Sequence, residues 1–295
     1  MFALRANTAP DKRDIMTERK GTVGFSSYAS LMVPVHLGGN AEGPIKLAAS
    51  LADRFASRLI GVAAAEIVVP YYGDSISAAD ALLLQNAEQT AGEEVARAEA
   101  LFRRTVGCSS AIEWRSSLSE PRGFILSQSR AADLLVLGRQ GVDDQGRMAV
   151  AANDLVMDLG RPILLVPPQV ESLSAKHVVV AWKDTREARR AVWDALPFLV
   201  RAELVYVASV GPEANEQGIA DVCSHLSQHH VAARPISRSG DIASETHEII
   251  DIAQQQGADL IVAGAYGHSR MREWLFGGMS RDLLDTVPLC CLMSH

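Results

Sequence analysis

The feature that most restricts the fold is an internal repeat. Gly138 and Gly264 stand at an offset of 126 (264 less 138), and the same offset lays Gly141 on Gly267 and Pro162 on Pro288. From Leu134 onward no gap is needed: Leu134-Leu-Val-Leu falls on Leu260-Ile-Val-Ala, and Ile163-Leu-Leu-Val on Leu289-Cys-Cys-Leu. A period this long is no solenoid repeat, so each copy needs a core of its own. A chain of 295 residues accommodates two ordinary domains, and 48% apolar residues can fill two cores.

Each copy alternates short apolar runs with helical patterns. In the first, strands are expected at Leu31–Val35, Leu59–Ala64, Ala111–Arg115, Leu134–Leu137 and Ile163–Val166, and helices at Ala41–Arg58, Ala78–Val106, Pro121–Arg130 and Asn153–Leu159. In the second, strands fall at Val178–Ala181, Leu204–Val210, Ala233–Ser237, Leu260–Ala263 and Leu289–Leu292, with helices at Arg186–Val200, Asn215–His230 and Ser244–Gln256. Pro34 is a warning inside its strand, because it cannot donate to a ladder. Strand–helix alternation with short turns implies a parallel sheet covered on both faces, hence an α/β protein of two tandem, doubly wound five-stranded domains. The expected organisation is an extension over 1–27, a first domain over 28–168, a linker over 169–175 and a second domain over 176–295. Residues 1–27 are polar and aperiodic and lack the apolar centre of a secretory signal; Met1 and Met16 are alternative starts.

Composition removes several functions. Net charge of −7 and a pI near 5.6 argue against a nucleic-acid surface. No apolar run reaches the length of a membrane span. Cys108, Cys223, Cys290 and Cys291 have no Cys-x2-Cys spacing, so no metal cluster is expected and the thiols read as reduced, as in the cytoplasm. Adjacent Cys290 and Cys291 should face opposite sides of a strand. Ala181-Trp-Lys-Asp-Thr-Arg-Glu, after the second domain's first strand, contains no glycine, which excludes a dinucleotide fingerprint there. No nucleophile, base and orienter can be assembled, so an enzyme is not expected beyond slow turnover of a bound ligand. An adenylate-forming or nucleotidyl-transfer enzyme fails on the same ground.

Chemistry concentrates in the stretch Gly264-Ala-Tyr-Gly267-His-Ser-Arg-Met-Arg-Glu-Trp-Leu-Phe-Gly277-Gly278-Met-Ser280. It follows an apolar strand and precedes Arg281-Asp-Leu-Leu, a helix start. Glycine there permits unusual φ and close approach to a ligand, and successive N–H groups before a helix form an anion nest. Gly264 alone is better explained by steric need; three glycines around a nine-residue loop favour phosphate. Arg270 and Arg272 supply cations, and His268 a backbone N–H. The matching first-domain stretch, Gly138-Arg-Gln-Gly141-Val-Asp-Asp, has lost the third glycine and carries Asp143 and Asp144, which repel phosphate.

The Gly-x2-Gly-x9-Gly spacing after a strand, closing at Val287-Pro288, resembles the nucleotide loop of the universal stress protein family, over about 28–295. The resemblance implies strand order 3-2-1-4-5 in each domain, with ligands at the reversal between strands one and four. It implies a cytoplasmic stress-response sensor or regulator that binds ATP or ADP in the second domain, with Mg only as the nucleotide's companion. The implied contacts are Ala181, Trp182, Lys183, Asp184 and Thr185 after strand one and Val207 at the end of strand two. On the loop they are Gly264, Gly267, His268, Arg270, Gly277, Gly278, Met279 and Ser280. Two departures stand out. The family's Ser or Thr after the last glycine is Gly278 here, and its usual Asp is Lys183, with Asp184 next. Trp182 is either a base-stacking or a core residue. A homodimer, or an intramolecular pseudo-dimer through the final strands, is expected. The competing class is an interaction or small-ligand module of the same fold that binds no nucleotide.

Overall fold

The structure is a computed structural model that describes residues 27–39, 41–68, 78–107, 111–139, 146–240, 244–265, 282–283 and 287–295. The first half runs β1 (Ser30–Pro34), α1 (Glu42–Phe55), β2 (Arg58–Ala64), α2 (Ala78–Val106), β3 (Ile112–Ser117), α3 (Pro121–Gln128), β4 (Leu134–Gly138), α4 (Ala152–Val156) and β5 (Ile163–Val166). The second runs β6 (His177–Ala181), α5 (Arg186–Leu199), β7 (Leu204–Val210), α6 (Ile219–Gln228), β8 (Ala233–Arg238), α7 (Glu245–Gln255), β9 (Leu260–Gly264) and β10 (Cys290–Ser294).

All ten strands form one sheet in the order β3-β2-β1-β4-β5-β10-β9-β6-β7-β8. Each half has the order 3-2-1-4-5 and is parallel throughout. The halves meet where β5 and β10 pair antiparallel, Cys291 opposite Leu165, Leu292 opposite Leu164 and Met293 opposite Ile163. The expected pairing of final strands is therefore made within one chain. The outer strands are unattractive to further pairing: β3 carries Glu113 and Arg115, and β8 carries Arg234, Pro235 and Arg238. Pro34 ends β1, whose pairing with β4 covers Leu31 and Met32 only, so no ladder bond is lost.

Alternate strand residues feed two cores. One face takes Leu31, Val33, Val178 and Val180 with Ile45, Leu51, Phe102, Ala191 and Phe198 from α1, α2 and α5. The other takes Met32, Val179 and Ile261 with Ile125, Leu155, Ile249 and Ile252 from α3, α4 and α7. Cys290 belongs to the first core and Cys291 to the second, the opposed orientation expected of neighbours in a strand. Burial pushes both thiols up to about 12, so neither is a ready nucleophile.

Two expectations need correction. The helix expected over Asn215–His230 is divided into a 3-10 turn at Ala214–Glu216 and α6, because Gly218 adopts φ +66° between them. The gapless repeat also fails at the last strand. The Arg139 N–H donates to Val166 O, whereas that of Ala265, its counterpart at offset 126, donates to Ser294 O. Ser294 is thus the true counterpart of Val166, and the offset there is 128 (294 less 166). With that offset the local two-fold axis of the β5–β10 pairing falls at Leu164 and Leu292. A shift of two residues preserves which side chains face which core.

The axis also brings α1 and α5 together on one face. Phe55 and Phe198 meet edge to face at 5.1 Å, Tyr28 lies 5.1 Å from Phe55 and 5.7 Å from Phe198, and the Arg201 guanidinium sits 5.0 Å from the Phe55 ring centre. The Tyr28 hydroxyl donates to Asp194 O at 2.6 Å, tying the first half to the second.

Leu164 and Leu292 are fully buried. Truncating either to Ala should cost about 2–5 kcal/mol in urea denaturation. The double variant should cost less than the sum, since the two are opposed across the axis. Burial, reinforced by Asp194 and Asp133, raises the Tyr28 phenol well above its ordinary value. The folded state thus favours the protonated phenol; its contribution is full below the unfolded pKa of about 10 and declines as pH rises beyond it. Tyr28→Phe should lose about 1 kcal/mol at neutral pH and flatten the alkaline decline of Tm measured between neutrality and high pH.

Candidate functional site

β6 and β9 are neighbours, Ala181 opposite Ala263, and the chain leaves them toward opposite faces: α5 packs in one core and Leu283 in the other. Open α/β sheets take their ligands in the crevice at the strands' carboxyl ends where connections diverge, and the ends of β6 and β9 hold that position here. The N-terminus of α5 forms one wall. Thr185 caps it, its hydroxyl accepting the Ala188 N–H at 3.2 Å, as expected of a Thr in extended conformation before a helix.

Gly264 ends β9 against that wall. A Cβ there would lie 2.6 Å from the Ala188 nitrogen and 2.7 Å from the Glu187 carbonyl carbon. Gly138 has the same position in the first half, where a Cβ would lie 2.5 Å from Cγ of Pro44. Both glycines are therefore required for packing whatever is bound; for Gly264 this is the steric reading weighed above.

The strand-one residues are spread over different environments. Ala181 is buried at the end of β6. Trp182 donates its N–H to Ala208 O at 2.7 Å and turns its indole into the core on the α5 side, where Nε1 donates to Gln217 O at 2.8 Å. Lys183 is exposed. The Asp184 N–H donates to Gln217 Oε1 at 2.7 Å, and its carboxylate is ion-paired with Arg189. Val207 is fully buried and paired with Val180 and Pro235; β7 continues beyond it to Val210. Gly267, His268, Arg270, Gly277, Gly278, Met279 and Ser280 lie outside the described residues, as do Arg272, Gly141, Asp143 and Asp144.

Two residues not singled out in the sequence shape the crevice. Glu187 is 3% exposed in the first turn of α5. Burial pushes its pKa up, but bonds from Arg186 and its own N–H, with the charges of Arg186 and His295, outweigh this and leave it below the usual carboxylate value. A helix start stabilises such a charge; an Arg–Glu pair just after an N-capping Thr was the available signal. His295 approaches from the other side, its Nδ1 3.0 Å from Ala265 O.

The second is Arg139, directly after Gly138. Its guanidinium donates to Leu283 O at 2.9 Å and to Val287 O, both in the second half beyond the glycine stretch. The position equivalent to a degenerate loop residue in one half thus holds the carbonyls that follow the intact glycine stretch in the other. Nothing local in the sequence signals this, because the contact spans 144 residues. Among the described residues no three or more His, Cys, Asp or Glu are placed to hold a metal ion, and no helix is long and apolar enough to cross a membrane.

Arg139→Met should remove two hydrogen bonds from a charged group, at about 1.5–3 kcal/mol each, seen as a lower urea midpoint with an unchanged slope. Arg139→Lys should recover part of the loss, since one ammonium cannot span both acceptors as a guanidinium does.

Residues 192–295 match the sequence model of the universal stress protein family. No curated protein matches the chain in sequence. Among solved structures, a universal stress protein from Archaeoglobus fulgidus DSM 4304 superimposes with a TM-score of 0.64 at 14% identity, covering 92% of this chain and 97% of its own. A functionally unknown protein from Pseudomonas aeruginosa PAO1 superimposes with a TM-score of 0.53 at 16% identity, covering 91% of this chain and 93% of its own. Both alignments span the two halves and show the shared fold.

Proposed function

With a universal stress protein domain over residues 192–295 as the premise, we propose that the second half binds one adenine nucleotide, ATP or ADP, and acts as a cytoplasmic stress-response sensor or regulator. The observation that carries this reading is the position of Gly264. It ends β9 beside β6, at the winding reversal, and opens the stretch whose Gly264, Gly267 and Gly277 match the family's phosphate-loop spacing. Backbone N–H groups supply the anion site, with Arg270 and Arg272 as neutralising cations and His268, Gly278, Met279 and Ser280 along the loop. Ala181 and Lys183 form the floor. Mg enters with the nucleotide only. Turnover is slow or absent, because phosphoryl transfer needs a metal clamp and a positioned nucleophile. The first half keeps the fold and lacks the site. Domain limits near 28–168 and 176–295, joined by 169–175, fit this division.

A second reading, an interaction or small-ligand module without nucleotide, draws on specific contacts. Asp184 is ion-paired with Arg189, and the Trp182 indole is packed into the core on the α5 side, which draws both away from a base or ribose beside β9. Glu187 adds a buried carboxylate at the crevice, which Arg186 neutralises.

Calorimetric titration with ATP and ADP, with and without Mg, separates the two. The nucleotide reading expects one site per chain, lost in Gly267→Val and retained in Gly141→Val. Two sites per chain, or equal loss in both variants, would remove the asymmetry. No binding at millimolar nucleotide would remove the nucleotide reading and favour the module.

A further inference from the structure

On the α5 side of the sheet, a cavity of about 460 Å³ opens between α5 and α6, within the range of about 300–1,000 Å³ typical of small-molecule sites. Its lining includes the two indoles Trp182 and Trp193 and the aliphatic Val192, Leu196 and Val222. Trp182 has committed its N–H to Gln217 O, so toward the cavity it presents aromatic surface. Trp193 is 50% exposed, far more than a side chain of its size needs to be on a helix whose other apolar residues are buried.

The charges of the lining are lopsided. Arg189 is neutralised by Asp184. The carboxylates of Glu216 and Asp221, both exposed, have no hydrogen-bond or ion-pair partner among the described residues. Aromatic faces attract cations through their negative quadrupole, and unpaired carboxylates add a Coulombic attraction of the same sign. The same groups repel anions, so this cavity is unsuited to a polyphosphate.

We propose that the α5–α6 cavity is a binding site for an organic ammonium cation with a small apolar or aromatic body. The cationic head lies against the indoles within reach of Glu216 and Asp221, and the body against Val192, Leu196 and Val222. The site is independent of the nucleotide reading.

The test is titration of the full chain with benzyltrimethylammonium, with neutral benzyl alcohol and anionic benzoate as comparators, followed by calorimetry and tryptophan fluorescence. The cation should bind at least about tenfold more tightly than benzyl alcohol, and benzoate should not bind. Trp193→Ala, and separately the pair Glu216→Gln with Asp221→Asn, should each weaken cation binding about five- to thirtyfold. The altered side chains are all on the surface, so circular dichroism should stay unchanged, and each variant serves if the other disturbs the fold. Equal binding of the three probes, unchanged affinity in the variants, or no cation binding at tens of millimolar would overturn the proposal. So would displacement of the cation by ATP, which would join the cavity to the nucleotide crevice.

Discussion

The antiparallel pairing of β5 with β10 is the interaction on which the rest of this architecture depends. A parallel α/β unit that ends on a buried apolar strand leaves a row of unpaired N–H and C=O groups at that edge. Here Ile163–Val166 and Cys290–Ser294 satisfy one another, and two five-stranded sheets become one of ten. Because the local axis passes through Leu164 and Leu292, equivalent helices fall on the same face. That brings Phe55 of α1 and Phe198 of α5 within 5.1 Å, and the Tyr28 hydroxyl onto a carbonyl of the other half. Aromatic pairs of this geometry add about 0.5–1.5 kcal/mol beyond their burial, so the strand junction is reinforced on the α1–α5 side of the sheet.

The same junction breaks the symmetry it creates. β10 sits two residues out of step with a simple duplication, and Arg139 reaches from the first half to carbonyls of the second. The first half thereby supports the segment that follows the second half's glycine stretch. A copy that has lost its own phosphate motif remains part of the other copy's framework. Electrostatics point the same way: Asp143 and Asp144 occupy the first loop in sequence, whereas the second has Arg270 and Arg272.

The second half divides its polar chemistry between two places. Beside the ends of β6 and β9 sits one buried carboxylate, Glu187, balanced by Arg186. The α5–α6 cavity has drawn in Trp182 and Asp184, which the linear order after strand one would have assigned to the crevice. Gln217 is the reason: its backbone carbonyl takes the indole N–H and its side chain takes the Asp184 N–H. It can do so because Gly218 breaks the chain before α6.

What the amino-acid order determined by itself was the succession of strands and helices and the duplication. These follow from short-range rules: apolar runs of strand length and helical spacing. That glycine is required at 138 and 264 shows only in the packing, where a Cβ would meet Pro44 or the start of α5. The order 3-2-1-4-5 came through family resemblance. Tertiary structure alone decided the two-residue displacement of β10, the break before α6, the burial of Trp182 and the roles of Arg139 and Glu187. Each depends on partners distant in sequence or on competition among hydrogen bonds. A run such as Trp182-Lys-Asp-Thr185 carries the same residues whether its side chains turn to a ligand or to the core, and only the packed neighbours select between them.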